Sequence, residues 1–254
     1  MTPEYDFSGR TVLVTGAASG IGEATSRWLA DHGAERLVLI DINEQALLPN
    51  GLQCAVQTFA GDVGDPVLWE QVERESPSLN HAVLNAGVGS GSAVADTSIE
   101  EWRRVMRTNL DGAFLSLRAS LRKTLDGGSI VLTSSVSGTK AEAGTAAYGA
   151  SKAGVMQLAR VAAKEAAPRR IRVNAIAPGG VDTPIWNEVP FFKGLVAHHG
   201  GDRQAAIAAM AGAATPLGRF ATADETAAQI GFLLSDASAT ITGAVLVTDG
   251  GYSI

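Results

Sequence analysis

The sequence predicts an α/β fold, a doubly wound parallel sheet of about seven strands with helices on both faces. Two observations predict it. Short, near-continuously apolar runs rich in β-branched residues alternate with helix-period segments from end to end. No linker, repeat or low-complexity tract divides the 254 residues. With 46% hydrophobic residues the chain can bury a large core, so one domain over 1–254 is expected.

Strands are expected at Thr11–Val14, Leu37–Ile40, Ala82–Leu84, Ile130–Leu132, Ile171–Ile176 and Ala244–Val247, with Cys54–Phe59 a weaker candidate. Helices are expected over Ile21–His32, Pro66–Glu75, Glu100–Leu125, Ala146–Ala166 and Ala223–Leu234. Gly33, Gly127 and Gly128 read as stops for the helices before them. The least regular stretch is Trp186–Asp202, which reads as a long loop and hence as part of a lid at about 184–215. Trp28, Trp69 and Trp102 read as packing residues, Cys54 as a small buried apolar group, and His198 and His199 as solvent-facing lid residues.

Charge narrows the partners. Lys and Arg number 20 against 26 Asp and Glu, a net charge of −6, and no basic run exists to neutralise a nucleic-acid backbone. No apolar stretch is long enough to span a bilayer, and the first residues lack the pattern of a secretory leader, so a cytoplasmic location without a membrane partner is expected. One cysteine, Cys54, excludes a disulfide framework, and no metal site is expected.

The first chemical signal is Thr15-Gly16-Ala17-Ala18-Ser19-Gly20-Ile21-Gly22, between a strand and a helix. Glycines there let backbone approach a pyrophosphate, and the helix N-terminus offers free N–H groups to the anion. By itself the cluster also fits a plain tight turn. The next strand ends at Asp41, 19 residues beyond Gly22, where an acid meets the adenosine ribose of a dinucleotide. A carboxylate there accepts from the 2′-hydroxyl and repels a 2′-phosphate, and neither Ser19 nor Asn43 supplies a cation. NAD is therefore favoured over NADP; the plainer reading has Asp41 only capping a turn.

The second signal is Tyr148-Gly149-Ala150-Ser151-Lys152, which sets Tyr and Lys on one helical face. A nearby ammonium is expected to lower the phenol from its usual value of about 10. Ser135 follows a strand, Asn85-Ala86-Gly87 follows another, Asn109 lies in the long helix, and Asn174 to Gly179 closes the sixth strand. With the glycine turn and the tail Asp249-Gly250-Gly251, this ordered set closely resembles the short-chain dehydrogenase/reductase family, over the whole chain and in its branch of roughly 250 residues.

The resemblance implies a single-domain Rossmann fold and a role for each residue. Tyr148 would be the general acid/base, Ser135 a donor to the substrate oxygen, and Lys152 the holder of the nicotinamide ribose. Asn109 would anchor a relay water. Gly16, Ser19, Gly20, Ile21, Gly22, Asp41, Asp62, Val63, Asn85, Ala86, Gly87, Pro178, Gly179, Val181 and Thr183 would contact the cofactor, and Gly180 and Trp186 the substrate. Three departures stand out. Leu84 replaces a frequent Asn, the Asp62–Asn85 interval is short, and the Thr183–Pro216 segment is long.

The expected activity is NAD-dependent interconversion of a secondary alcohol, bulky or cyclic, and its ketone. The lid residues Trp186, Pro190, Phe191 and Phe192 suit an apolar body. The alternatives are a 3-oxoacyl thioester reductase using NADPH and a non-catalytic dinucleotide sensor. The Ala-rich long helices resemble those that pair in family assemblies, so a homotetramer or homodimer is expected.

Overall fold

The computed structural model describes residues 5–47 and 51–254. The strands are β1 Thr11–Thr15, β2 Arg36–Asp41, β3 Ala55–Ala60, β4 Leu79–Leu84, β5 Thr124–Thr133, β6 Arg172–Pro178 and β7 Val245–Thr248. They form one parallel sheet in the order β3-β2-β1-β4-β5-β6-β7. All seven expected strands are present, including the weak one. The main helices are α1 Gly20–Asp31, α2 Pro66–Glu75, α3 Ile99–Met106, α4 Gly112–Lys123, α5 Ala146–Ala166, α6 Pro190–His198, α7 Arg203–Ala214 and α8 Ala223–Leu234.

Two apolar layers explain the continuous hydrophobic runs. On one face Leu13, Ile130 and Leu132 pack with residues of α2, α4 and α5, such as Trp69, Leu117 and Ala159. On the other, Val12, Val14, Val131 and Ile176 pack with Leu29 of α1 and Ile230 of α8. A strand sandwiched between helix layers has no polar face, which is why alternation is missing from the sequence. Trp28 lies so close to Gly231 of α8 that an added Cβ there would sit 2.3 Å from its ring. That contact permits only Gly at 231.

The strand order reverses between β1 and β4, so the carboxyl ends of these strands splay and leave a crevice. Their last residues, Thr15 and Leu84, are in register with each other. The glycine turn and the Asn85 loop leave from this edge.

Several expectations need correction. The helix expected to run to Leu125 ends at Lys123, and β5 begins at Thr124. Gly127 and Gly128 therefore stop no helix. They lie in a register irregularity of β5 opposite Leu79 and His81, where a Cβ on Gly128 would meet the Asn80 carbonyl at 2.3 Å. The same expected helix is interrupted by a π-helical turn at Arg107–Asp111. The supposed long loop is mostly helical, as α6 followed by α7, packed on a small core of Phe192, Ala206 and Ile207. Trp102 is exposed, not packed, whereas Trp69 is fully buried. Cys54 is half-buried. His198 is exposed and His199 half-buried, their rings in edge contact.

At the opposite end of β4, His81 packs edge-on against Phe7, and its Nδ1 is buried without a partner. Burial, with the Arg10 and Arg172 charges nearby, pushes its imidazole down to about 3. Folded His81 stays neutral where an unfolded imidazole binds a proton below about 6.5. Unfolding thus takes up a proton between these values, and acid destabilises the fold there. The loss is expected to reach about 2 kcal/mol by pH 5. In His81→Gln, melting temperature should depend less steeply on pH between 6.5 and 5; an unchanged slope would assign the acid sensitivity elsewhere.

Candidate active site

The carboxyl edge of the sheet opens onto a cleft of about 820 Å³. Every residue expected at the site lines it except Gly22 and Asn109. Gly22 lies beneath the turn, where an added Cβ would stand 2.0 Å from the Gly16 carbonyl oxygen. Asn109 lies behind the cleft wall, fully buried.

The glycine turn is shaped to receive an anion. Gly16 and Gly20 have φ of +66° and +56°, which L side chains rarely adopt. A Cβ on Gly16 would press on the Ala86 backbone at 2.9 Å. Ser19 occupies the N-cap of α1, but its hydroxyl makes no capping bond to the first-turn N–H groups. Those groups and the positive end of the helix dipole therefore face the crevice. Thr15 Oγ1 accepts from the N–H groups of Asn85 and Ala86 at 2.9 and 3.1 Å, tying the two loops together.

Asp41 ends β2 beside this turn. One carboxylate oxygen accepts from the Ala18 N–H at 3.0 Å and the other from the Asn43 N–H at 2.9 Å. The turn-capping reading is thus part of its role, and it also fixes the carboxylate against the turn. Asp62 receives the Gly64 N–H at 2.8 Å and pairs with Arg107 at 3.0 Å. This set of groups, an anion cradle with a carboxylate held against it on the same cleft, fits a nicotinamide dinucleotide.

The catalytic candidates meet at the ends of β5 and α5. Lys152 is buried, donates from Nζ to the Thr133 carbonyl at 3.0 Å, and lies 5.6 Å from the Tyr148 ring centre. Ser134 Oγ donates to the Lys152 carbonyl at 2.7 Å, clamping α5 to the strand. Ser135 Oγ accepts from the Ser137 N–H at 3.2 Å, which leaves its proton to donate. Burial pushes the Lys152 ammonium down to about 8. Burial pushes the Tyr148 phenol above 10, opposed by its hydrogen bond with Ser135. The expected lowering of Tyr148 is thereby corrected: burial raises the phenol, and the influence that opposes it is the Ser135 hydrogen bond.

Asn109 is the buried residue of the π-helical turn between α3 and α4. Its Oδ1 accepts from the Val88 N–H at 2.8 Å, and its Nδ2 donates to the Val88 carbonyl and to Ser151 Oγ. The Asn109 amide thus clamps the Val88 loop to α5. Gly87 fills the gap between them, for a Cβ there would touch Lys152 Nζ at 3.2 Å and Asn109 Oδ1 at 3.3 Å.

An aromatic wall closes the far side. Trp186 stacks on Phe220, ring centres 5.7 Å apart and planes 8° apart, and donates to the Val181 carbonyl at 2.8 Å. Gly180 must be glycine, since a Cβ would meet the Phe220 ring at 2.4 Å. Phe191 also lines the cleft, whereas Phe192 is buried in the lid core. Phe220, Met210 and Tyr252 line it too and were missed by sequence reasoning. The family's closing segment was a signal only for Tyr252, which follows the Gly250-Gly251 turn. Lys193, His198 and His199 are not among the lining residues. Among the described residues no cluster of His, Cys, Asp or Glu is placed to hold a metal, and no helix is long and apolar enough to cross a membrane.

The sequence comparisons agree with this geometry. A family model described as enoyl-(acyl carrier protein) reductase matches residues 16–253. Cis-4-hydroxycyclohexanecarboxylate dehydrogenase of Sinomonas cyclohexanicum is 38% identical, covering 97% of this chain and 98% of its own. The 3-oxoacyl-[acyl-carrier-protein] reductase of Thermotoga maritima is 35% identical, covering 98% and 99%. The crystal structure of L-sorbose reductase from Gluconobacter frateurii, complexed with NADPH and L-sorbose, superposes with a TM-score of 0.90 at 28% identity and 98% coverage of both chains. The chain belongs to the short-chain dehydrogenase/reductase family, with its Rossmann fold and a site for a nicotinamide dinucleotide. It is an oxidoreductase of that family.

Proposed function

We propose that the chain is an NAD-dependent dehydrogenase interconverting a bulky or cyclic secondary alcohol and its ketone. The observation that carries this is the convergence of Ser135, Tyr148 and Lys152 in one cleft walled by the stacked Trp186 and Phe220. A planar apolar wall suits a ring better than a flexible acyl chain. The resemblance to a dehydrogenase of a hydroxycyclohexane acid supports the same substrate class.

The residues divide the work. Ser135 donates to the carbinol oxygen and stabilises its developing negative charge. Tyr148 takes the hydroxyl proton in oxidation and returns it in reduction. Lys152 holds the ribose and keeps a positive charge beside the phenol. Asn109 holds the loop carrying Gly87 against Lys152. The cofactor, when bound, supplies the hydride acceptor. Gly16, Gly20, Gly22 and the α1 N-terminus seat its pyrophosphate, Asp41 its ribose, Asp62 and Val63 its adenine, and Pro178 to Thr183 its nicotinamide end.

The alternative, an NADPH-dependent thioester reductase, has support in the Thermotoga maritima relative. Asp41 argues against it, because a carboxylate held by Ala18 and Asn43 repels a 2′-phosphate and no basic residue stands at 19 or 43. Asp41→Ala is expected to raise KM for NAD about tenfold and to narrow the preference for NAD over NADP by about a hundredfold. Unchanged discrimination in steady-state assays with both cofactors would remove the ribose argument.

The chain is also proposed to act in the cytoplasm as a homotetramer or homodimer, joined through its long helices. Exposed Phe114 of α4 and Val161 of α5 supply apolar surface for such contact. Sedimentation should detect an oligomer at micromolar concentration; a monomer would contradict it.

A further inference from the structure

We propose that Arg203 is a positioning residue that joins the lid to Thr183, so that cofactor binding and lid order are coupled. This rests on the reading of Thr183 as a contact of the nicotinamide end.

Arg203 is the first residue of α7, whose start is fixed by Asp202 accepting from the Gln204 and Ala205 N–H groups. Its side chain crosses to the segment that leaves β6. Nη1 pairs with Asp182 at 2.6 Å, Nη2 donates to the Thr183 carbonyl at 2.9 Å, and Nε donates to Asn187 Oδ1 at 3.3 Å. The guanidinium also lies over the Phe192 ring of α6 at 5.8 Å. The second Asp182 oxygen accepts from Gln204 Nε2 at 3.0 Å. One planar fork therefore joins both lid helices to the consecutive residues Asp182 and Thr183, the second of which lines the cleft, and a lysine cannot do this. Both charged partners are about two-thirds shielded, at 31% and 27% side-chain exposure.

Thr183 in turn is buried against the phosphate turn, 3.2 Å from where a Cβ of Gly20 would be. The grip of Arg203 thus ends at the cofactor cradle. The lid itself is lightly packed. Its buried core is Phe192, Ala206 and Ile207, and its glycines at 194, 200, 201 and 212 have no neighbour within 4 Å of an added Cβ. Elements with so few buried contacts open locally at low cost, and a fixed ion pair decides how they sit.

Hydrogen exchange with NADH as the probe tests this without any alcohol. In the natural chain, NADH is expected to slow exchange of the amides from Phe191 to Ala214, the lid segment 190–214, about tenfold, along with those of the Gly16–Gly22 turn. In Arg203→Met the slowing at 190–214 should fall below about twofold while the turn remains protected. Asp182→Asn, which preserves shape, should act in the same direction if the first variant folds poorly. Equal slowing at 190–214 in the natural chain and both variants, or protection of the turn alone in the natural chain, overturns the proposal. No slowing at either place overturns the cofactor reading, and the coupling with it.

Discussion

Tyr148→Phe is expected to lower kcat by about a thousandfold while leaving the dissociation constant for NADH within about twofold. The variant removes one oxygen and keeps the ring. The phenol is the group whose proton must move, and its neighbours Ser135 and Lys152 cannot replace it. Ser135 is already oriented by the Ser137 N–H, and the Lys152 ammonium donates to the Thr133 carbonyl. Burial raises the Tyr148 phenol, so the chain holds it as an acid near neutrality. Oxidation should therefore accelerate as pH rises toward the phenol's range, and that slope should vanish in the variant. NADH fluorescence titration and initial rates separate the two effects. A kcat within tenfold of the natural value would remove Tyr148 from the chemistry.

Gly22→Ala should have the largest effect on cofactor binding. The added Cβ would stand 2.0 Å from the Gly16 carbonyl oxygen and 2.8 Å from Asn85 Nδ2, so the backbone of the turn must move. Overpacking of this kind costs about 3 kcal/mol. If the turn yields, NADH affinity should fall about a hundredfold; if it resists, the melting temperature should drop. Gly194→Ala in α6 is the control, because nothing lies within 4 Å of its added Cβ and helical alanine is favoured over glycine by up to about 1 kcal/mol. Equal behaviour of the two variants would contradict the cradle geometry.

The strands and the glycine turn were legible because they are local. A strand buried on both faces writes its hydrophobicity on consecutive residues, and the turn lies between β1 and α1 in sequence as in space. Three features were not legible, for physical reasons. The lid helices α6 and α7 bury few residues, so their Ala- and Gly-rich sequence carries little amphipathic signal. The start of β5 was hidden by Arg122 and Lys123, a helical ending, and by glycines that serve a strand irregularity instead. The direction of the Tyr148 shift depends on burial by distant elements, which the Tyr–Lys spacing cannot report. Phe220 and Tyr252 reach the cleft from late in the chain. The second-order role of Asn109, clamping Val88, required the π-helical turn to be seen.

The central claim is that Tyr148, Ser135 and Asp41 together make an NAD-dependent dehydrogenase for ring-bearing secondary alcohols. Initial rates of NADH or NADPH formation, measured with NAD and NADP respectively on matched cyclic and linear secondary alcohols, test it most directly. The prediction is a kcat/KM at least about tenfold higher with NAD, and higher for the cyclic alcohols, including hydroxycyclohexane acids. Turnover confined to NADPH and 3-oxoacyl thioesters would contradict it.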